Sequence, residues 1–337
     1  MEHASWENVT YHAMVVSEEE GTFVRRIETL AVGDLPPGDV LIRVAFSSLN
    51  WKDCLSAMGN PGVTRRYPHT PGIDAAGIVA ECTTEGFHKG DKVIVTGYDL
   101  GMNTAGGFSE YIRVPESWVV KLPAGLTRKE SMMLGTAGFT AGLSVKRLLD
   151  HGVTPEMGTV LVTGASGGVG SLAVGILKKL GFVVAGVSGR EDKGAYLSSI
   201  GVDRVLSLAE AVDTSGKALG GKLWAGVVDA VGGDVLATAI KNTMHRGVVT
   251  CCGNVRSDEL TSSIYPFILR GVSLCGIDSA TCPMDERQAV WAQLADAWKP
   301  ENLDAMVESF NGLEELDDQI ERMLRGDRTG RSIVHMP

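Results

Sequence analysis

Three side chains that can exchange protons or hydrogen bonds lie close together in the sequence. The stretch "LNWKDC" holds an amide, an ammonium and a carboxylate at Asn50, Lys52 and Asp53. If the stretch is extended, Lys52 shares a face with Asn50, whereas a helical turn brings Asn50 and Asp53 together. Asn50 could donate to a ligand oxygen, and Lys52 could stabilise negative charge on a reacting oxygen or hold a phosphate. Asp53 could orient the lysine or cap a helix, and a routine Lys52–Asp53 surface pair is the alternative.

A glycine-rich turn predicts a dinucleotide-binding site. In "TGASGGVG", Gly164, Gly167 and Gly170 stand between the apolar run "TVLV" and the amphipathic "SLAVGILKKL". Small residues at such a strand-to-helix turn let a pyrophosphate approach the backbone, and the helix N-terminus offers it unpaired N–H groups. A turn without a ligand is the alternative, but the flanking strand and helix argue against it.

The end of the second strand, "FVVAGVSGRED", favours NADPH over NADH. An NAD-specific site usually has a carboxylate at this place, which would bind the ribose 2′-hydroxyl. Ser188, Arg190 and Lys193 offer a hydroxyl, a guanidinium and an ammonium instead, and these groups suit a 2′-phosphate. Glu191 and Asp192 could serve NAD, or could simply lie at the solvated start of a helix.

The elements around these residues indicate two domains in 337 residues. Short strands such as "DVLIRVAFSSLN", "AAGIVAEC" and "DKVIVTG" predict a small barrel. Thr127 and Glu130 then form a predicted capping box for a helix that runs to Gly152. Strands "WAGVVDAVGG", "RGVVTCCGN" and "VSLCGIDS" continue the parallel sheet of a cofactor domain that should end near Asp278. The last of these strands could pair edge to edge with a second copy, which predicts a homodimer.

Composition limits the classes of binding partner and predicts the cell compartment. The formal net charge is −10, which argues against nucleic acid and against an anionic membrane as a main partner. No apolar stretch approaches the roughly 18 residues that a membrane span needs. Six cysteines without a CxxC pair are typical of reduced thiols, and together these features predict a cytoplasmic protein.

Several motifs in order resemble one known family over nearly the whole chain. "SSLNWKDCLSAMG", "PGIDAAG", "GGFSEY", "VTGASGGVGS", "YPFILRGVSLCGIDS" and "GRSIVHM" are similar to the medium-chain dehydrogenase/reductase superfamily, and within it to the NADPH-dependent acrylyl-CoA reductases, a branch often labelled quinone oxidoreductase. The resemblance implies an α/β protein. A GroES-like β-barrel catalytic domain would span residues 1–130 and 279–337, and a Rossmann domain with a doubly wound parallel sheet would span residues 131–278.

The resemblance also implies a set of cofactor contacts. The pyrophosphate would lie among Ser166, Gly167, Gly168 and Val169, and the ribose phosphate beside Ser188, Arg190 and Lys193. The nicotinamide half would be bordered by Gly253, Asn254, Phe267 and Leu269, with Thr140 and Arg331 as further candidates. Arg204 could join the phosphate cluster, or it could be an ordinary surface charge beside Asp203.

The zinc-dependent relatives carry ligands that this sequence lacks. Their catalytic Cys and His would align with Asn50 and with Ile73 of "PGIDAAG", and their cluster of four cysteines is missing, since no cysteine lies between Cys82 and Cys251. Asp74 alone could not hold the ion. We therefore expect no bound metal.

Without zinc, reduction of a conjugated carbon–carbon double bond is the predicted chemistry. Hydride adds to the β-carbon, and hydrogen-bond donors stabilise the enolate that forms. The resemblance implies reduction of acrylyl-CoA to propanoyl-CoA, a small-molecule acyl-CoA substrate. The alternatives are a quinone or enone reductase and a non-catalytic NADPH-binding sensor.

The loop after "LNWKDC" contains four further residues of interest. Related enoyl reductases place a tyrosine acid near here, but Tyr67 lies close to the turn and out of register, so ordered water could protonate the product instead. His69 is either a structural histidine or a ligand. Arg65 and Arg66 could contact an acidic cofactor tail or remain solvated.

Overall fold

A computed structural model describes residues 6–336, without the side chains of Glu7 and Glu191. Its strands are β1 (Thr10–Glu19), β2 (Thr22–Ala31), β3 (Val40–Leu49), β4 (Asp74–Cys82), β5 (Lys92–Thr96), β6 (Tyr111–Val114), β7 (Val119–Lys121), β8 (Val160–Thr163), β9 (Val184–Ser188), β10 (Arg204–Ser207), β11 (Trp224–Asp229), β12 (Thr243–Cys251), β13 (Ser273–Gly276), β14 (Val307–Asn311) and β15 (Arg331–His335).

The helices alternate with these strands in the second half of the chain. They are α1 (Trp51–Ala57), α2 (Arg128–Asp150), α3 (Gly168–Lys179), α4 (Gly194–Ser199), α5 (Gly233–Asn242), α6 (Tyr265–Arg270), α7 (Met284–Leu294) and α8 (Leu316–Leu324). Among the described residues, no helix is both long and apolar enough to cross a lipid bilayer.

The first compact unit comprises Met1–Thr136, Ala280–Gln288 and Val307–Pro337. Its main sheet has the strand order β14-β15-β3-β4-β5-β7, with β6 paired to β3, and β1 and β2 form a separate hairpin. The inward faces of these strands bury a hydrophobic cluster that includes Val44, Leu49, Val79 and Phe108. Strand β15 lies between β14 and β3, so a segment late in the sequence completes this unit.

The second compact unit comprises Ala137–Ser279 and Ala289–Met306. Its six parallel strands have the order β10-β9-β8-β11-β12-β13. This order reverses direction at β8, as in doubly wound dinucleotide-binding folds. The predicted α/β class and the doubly wound parallel sheet are confirmed.

The unit bounds differ from the predicted domains in the segment 289–306. Expected in the barrel domain, this segment packs in the second unit, where a Cβ on Gly175 of α3 would lie 2.8 Å from both Met306 and Pro300. The ring of Trp291 stacks on that of Phe139 at 6.1 Å, and Lys179 pairs with Glu301 at 2.8 Å. The sequence shows a helical pattern that enters this segment, but it does not show the unit in which the helix packs.

The capping box that was predicted for α2 is confirmed. Thr127 N–H donates to Glu130 Oε2 at 2.8 Å, and Glu130 N–H donates to Thr127 Oγ1 at 3.1 Å. The helix is not continuous, however, because Gly135 inside it has φ 53° and ψ −157°. The change of unit follows at Thr136 and Ala137, six residues beyond the predicted boundary at 130.

Candidate active site and cofactor-binding elements

A helical turn brings Asn50 and Asp53 together in the first unit. Asn50 caps α1, and its N–H donates to Asp53 Oδ2 at 2.8 Å. The other oxygen of Asp53 accepts from Ile73 N–H at 2.8 Å, and Asp53 is fully buried. Of the two conformations that the sequence allows, the helical one forms. A surface pair of Lys52 and Asp53 is therefore excluded.

The side chain of Asn50 is engaged inside a polar network. Its Nδ2 donates to Asp74 Oδ2 at 2.8 Å and to Ser48 O at 3.2 Å, and its Oδ1 accepts from Arg331 Nη1 at 3.0 Å. Both amide hydrogens thus already have acceptors within the protein. The expectation that Asn50 donates to a ligand oxygen conflicts with these bonds, which hold its side chain against Ser48, Asp74 and Arg331.

Asp74 is the centre of this network. Its carboxylate accepts from Ser48 Oγ at 2.5 Å, from Thr136 Oγ1 at 2.5 Å and from Thr136 N–H at 2.9 Å, besides the bond from Asn50. The guanidinium of Arg331 lies 3.6 Å away and compensates the buried charge. Asp74 at the start of β4 therefore joins β3, α1, α2 and β15. We refer to Ser48, Asn50, Asp53, Asp74, Thr136 and Arg331 as the Asp74 network.

The kink in α2 accommodates the Asp74 network in two ways. It leaves room for network side chains beside Gly135, and it makes the backbone amide of Thr136 available to Asp74. A Cβ on Gly135 would lie 2.5 Å from Arg331 Nη2 and 2.6 Å from both Asp74 Oδ2 and Ser48 Oγ. Its backbone conformation is one that essentially only glycine adopts. The kink frees the N–H of Thr136 from the helix ladder, and Asp74 accepts from it as an N-terminal cap would.

Burial shifts the titration of two members of the network. Desolvation raises the pKa of Asp53 to about 7, and the negative charge of Asp74 adds to this shift, while the amide donors of Asn50 and Ile73 oppose it. Desolvation lowers the pKa of Arg331, and the two carboxylates partly restore it. The network thus holds one buried carboxylate–guanidinium pair and one carboxyl whose pKa is raised to about 7.

Lys52 differs from its two neighbours. It is half-buried, and within the part of the chain that the structure describes its ammonium makes no hydrogen bond or ion pair. Because an ammonium has three donors, Lys52 can bind a ligand without breaking an internal contact. Of the three predicted catalytic residues, it is the one whose donors are available.

Tyr67 and His69 have structural contacts. The phenol of Tyr67 donates to Ser56 O at 2.6 Å, and its ring packs on Phe23 with centroids 4.7 Å apart. His69 is buried, its backbone pairs with that of Val16, and desolvation lowers its pKa, which disfavours the charged ring. The expectation that Tyr67 is out of register for proton donation agrees with this arrangement.

The glycine turn of the second unit has the geometry that a pyrophosphate site requires. Gly167 caps α3, and a Cβ on Gly170 would lie 2.2 Å from Gly164 O, so only glycine fits there. The first N–H groups of a helix have no partner within the helix. The predicted residues Ser166, Gly167, Gly168 and Val169 lie together at this helix start and are all at least partly accessible to solvent.

A cavity of about 820 Å³ lies beside the end of β9. The residues that line it include Ser188, Gly189, Arg190, Ser207, Leu208 and Arg256. Ser188 Oγ lies 3.2 Å from Ser166 Oγ, so the cavity and the glycine turn adjoin. Such a space at the carboxyl ends of parallel strands can hold the adenosine half of a dinucleotide.

The cations at this edge are paired with exposed carboxylates. Asp192 Oδ1 lies 3.4 Å from Arg190 Nε, and Asp192 Oδ2 lies 3.0 Å from Lys193 Nζ. Arg256, which the sequence reasoning missed, forms a bidentate pair with Asp234. Arg256 lies in the loop after β12, at the carboxyl edge of the sheet, and this position could have indicated a contact with the cofactor. Exposed ion pairs are weak, so a phosphate can compete for these cations.

The structure separates Arg204 from this cluster. Arg204 begins β10 opposite Ala185, and it is Ser207 that faces Ser188. Three residues of strand, about 10 Å, therefore lie between Arg204 and the carboxyl edge. Arg204 is exposed and does not line the cavity, so the alternative of an ordinary surface charge applies.

The remaining predicted cofactor residues lie in varied settings. Gly253 follows β12, and a Cβ there would lie 2.4 Å from Ala230 O, while Asn254 next to it is exposed. Phe267 packs on the core of the second unit, whereas Leu269 is 56% exposed. Their contacts with a cofactor stay predictions.

Two candidates are buried. Thr140 lies within the second-unit part of α2. Arg331 is 2% exposed, and its Nη atoms bind Leu49 O, Asn50 Oδ1 and Ser48 Oγ. Arg331 therefore belongs to the Asp74 network rather than to a cofactor surface.

The side chains at the expected zinc position do not fit that metal. Asn50 and Ile73 offer no thiolate or imidazole, and Asp74 already accepts from Ser48, Asn50 and Thr136. The nearby guanidinium of Arg331 would also repel a cation. Among the side chains that the structure describes, no three His, Cys, Asp or Glu converge in a metal-binding arrangement.

Two family models match the chain. The Alcohol dehydrogenase GroES-like domain matches residues 36–124, and the Zinc-binding dehydrogenase model matches residues 168–296. The first match lies in the first unit and spans β3 to β7, and the second covers most of the parallel-sheet unit. The predicted GroES-like domain is thereby confirmed.

Three relatives are similar over nearly their whole length. The "Putative quinone oxidoreductase YhfP" of Bacillus subtilis is 44% identical over 310 residues, which are 92% of this chain and 94% of that protein. A crystal structure of B. subtilis yhfP with NAD bound has a TM-score of 0.95 at 42% identity and covers 97% of this chain and 100% of its own. The acrylyl-CoA reductase AcuI of Ruegeria pomeroyi is 40% identical over 326 residues, 96% of this chain and 98% of that protein. The yhdH oxidoreductase of Salmonella enterica in complex with NADP has a TM-score of 0.94 at 40% identity, with coverages of 97% and 100%.

Proposed function

We infer that this chain, which belongs to the medium-chain dehydrogenase/reductase superfamily, reduces the conjugated double bond of acrylyl-CoA to give propanoyl-CoA, with NADPH as the hydride donor and without zinc. The observation that carries the proposal is an available ammonium, Lys52, beside a polar network whose side chains do not suit a metal ion. The name of the AcuI relative supports the substrate.

The second unit would bind the cofactor, which when bound supplies the hydride. Ser166, Gly167, Gly168 and Val169 would hold the pyrophosphate at the start of α3. Ser188, Arg190 and Lys193 would hold the 2′-phosphate, and Arg256 in the same cavity would add a fourth polar group. The complex of the S. enterica relative with NADP supports NADPH. Because the structure of the B. subtilis relative contains NAD, the preference for NADPH over NADH has to be measured.

Lys52 would stabilise the charge that develops during the reaction. When a hydride reaches the β-carbon of an unsaturated thioester, negative charge collects on the carbonyl oxygen. A preorganised donor at that oxygen lowers the barrier more than it strengthens substrate binding, because the charge is greatest in the transition state. Asn50 and Asp53 fix the start of α1, on which Lys52 lies. We propose that water then protonates the α-carbon of the enolate.

Two other functions lead to different measurements. The name of the B. subtilis relative favours a quinone or enone reductase, which would show the higher kcat/KM on a simple quinone. A non-catalytic NADPH-binding sensor would bind the cofactor saturably but turn over no activated alkene. The unpartnered Lys52 argues against the sensor, since cofactor binding alone does not need it.

The direct test is NADPH oxidation by acrylyl-CoA after treatment with a chelator. We expect full turnover in the chelated enzyme, a higher kcat/KM for acrylyl-CoA than for 1,4-benzoquinone, and a lower KM for NADPH than for NADH. A clear quinone preference would favour the second function. Loss of activity on chelation, restored by zinc, would refute the metal-free mechanism.

We also propose that the chain forms a homodimer through β13. This strand is the last in the parallel sheet, so one of its edges is unpaired. Leu274 on the strand is 37% exposed, and Ile264 and Ile268 nearby in sequence are 66% and 63% exposed. An open strand edge with apolar neighbours suits pairing with a second copy.

A further inference from the structure

The first unit carries a basic surface of which the proposed reduction uses only Lys52. It comprises Trp51 and Lys52 on α1 and Arg65 and Arg66 on the loop that follows; we call it the α1 basic surface. Trp51 is 44% exposed, and both arginines are exposed. Among the described residues, neither arginine nor Lys52 has a hydrogen-bonded or ion-paired side-chain partner.

Side-chain contacts hold the arginine loop against α1. Ser56 Oγ lies 2.7 Å from Thr64 Oγ1, and Tyr67 donates to Ser56 O at 2.6 Å. Asn60 N–H donates to Leu55 O at 3.0 Å. Arg65 and Arg66 directly follow Thr64, so their backbone is fixed beside the second half of the helix.

Lys52 and Trp51 lie one helical turn before the two α1 residues that the arginine loop contacts. Lys52 and Ser56 are four residues apart and share a helix face, as do Trp51 and Leu55. One turn, about 6 Å, separates each pair along the axis. A long arginine side chain spans such a distance. The two arginines and the indole ring can therefore contact one ligand of nucleotide size, and Lys52 is left for the reacting end.

Asp99, which is connected to this loop through Asn103, is already engaged. Arg65 N–H donates to Asn103 Oδ1 at 3.3 Å. Asn103 in turn donates to Asp99, which also accepts from Thr104 Oγ1, both at 3.1 Å. Asp99 thus helps to fix the loop through Asn103 and makes no ion pair with Arg65 or Arg66.

We propose that the α1 basic surface binds the 3′-phospho-ADP part of the acyl-CoA. This inference rests on the proposed function, because it assigns a site to the nucleotide of the proposed substrate. A 3′-phosphate and a diphosphate match the guanidinium forks of Arg65 and Arg66, and adenine can stack on the exposed face of Trp51. Lys52 lies in the first turn of the same helix, and in the proposed reaction its ammonium would contact the reacting end of the same ligand.

The test compares a substrate that has the nucleotide with one that lacks it. The variants are R65A/R66A and, as a matched control, R43A/K89A, which removes two other exposed and unpaired cations of the first unit. The substrates are acrylyl-CoA and the acrylyl thioester of N-acetylcysteamine. We expect R65A/R66A to raise KM for acrylyl-CoA about tenfold at unchanged kcat. The control and the truncated substrate should show no such change.

Trp51 gives a second, independent readout. W51A should also raise KM for acrylyl-CoA about tenfold, and W51F should retain most of the affinity because its ring can still stack. KM for NADPH should stay the same in every variant. An increase in that value instead would mean that the arginines bind the phosphates of the cofactor, and it would overturn the proposal.

Two results separate this inference from the function on which it rests. If acrylyl-CoA is reduced but R65A/R66A has the wild-type KM, or if both thioesters react with equal kcat/KM, the nucleotide site is refuted and the reductase stands. If neither thioester is reduced, the proposed function fails. Calorimetric binding of CoA to the NADP⁺-loaded protein then decides the site: weaker binding by R65A/R66A than by R43A/K89A supports it, and equal or undetectable binding overturns it.

Discussion

Asp53 is a buried carboxyl that should make the stability of the protein depend on pH. Its usual pKa of 3.8 is raised to about 7 by burial. Between these values the folded chain holds a proton that the unfolded chain has lost. Asp53 therefore stabilises the fold at the acid end of this window, and the effect is lost as the pH rises towards 7.

The variant D53N should remove this dependence. Between pH 5.5 and 6.5, we expect the titration of Asp53 to lower the wild-type free energy of unfolding by up to about 1.4 kcal/mol. Asn stays neutral, so this part of the slope should be absent in D53N, although the variant is less stable at every pH because it loses an acceptor. Urea unfolding at both pH values measures the two slopes. Parallel pH profiles would contradict a raised pKa.

Lys52 is the residue whose loss should affect chemistry most. K52A should lower kcat on acrylyl-CoA about a hundredfold, the usual effect of removing one donor from a developing oxyanion. The N-acetylcysteamine thioester is the essential second substrate, because a loss of kcat that persists on it cannot come from nucleotide binding. K89A, an exposed lysine of the same unit, is the control. Full kcat/KM in K52A on both thioesters would exclude Lys52 from catalysis.

The kinked helix α2 is the element that connects local sequence to distant packing. G135A adds a Cβ within 2.6 Å of three network atoms in a backbone conformation that disfavours any side chain. We expect it to destabilise the protein by about 2–4 kcal/mol. Thermal or urea unfolding measures this change.

G194A is the matched control for that variant. Gly194 lies at φ −53° and ψ −45°, and a Cβ there would meet no atom within 4 Å. Alanine should therefore leave stability unchanged or raise it slightly. Equal effects of G135A and G194A would mean that the network does not constrain the kink.

Elements with local signals could be predicted from the sequence, and elements set by distant contacts could not. Two features depend only on neighbours within a few residues: the capping box of Thr127 and Glu130, and the glycine turn from Gly164 to Gly170. Both formed as expected. The kink at Gly135 depends on Arg331, almost two hundred positions later, and the exclusion of Arg204 depends on strand register. Neither kind of contact leaves a local pattern.

The candidate site shows the same division. The sequence identified "LNWKDC" and left two conformations open, because a segment this short has no clear period. Only the position of Asp74 and Arg331 in space shows that the donors of Asn50 are already used. Its predicted role was therefore the one that the structure changed.

The whole molecule should associate through one edge of its parallel sheet. If β13 forms the interface, I268K together with L274K places charges on it and should convert the dimer to a monomer. V205K is the control, because Val205 is a 40% exposed apolar residue on β10, the opposite edge strand. Sedimentation velocity measures the mass. A wild-type monomer, or a dimer that survives both lysines, would refute the interface.

The position of β15 has a consequence for synthesis on the ribosome. This strand inserts between β14 and β3 and carries Arg331 to the carboxylate of Asp74. Until residues 331–335 have left the exit tunnel, β3 lacks its pairing with β15, and Asp74 lacks its counter-ion Arg331. All six strands of the parallel sheet, in contrast, are already translated by residue 276, and the rest of that unit by residue 306. The nascent chain should therefore pass through a stage with a folded nucleotide-binding unit and an open barrel, and this is the stage at which a chaperone would be most needed.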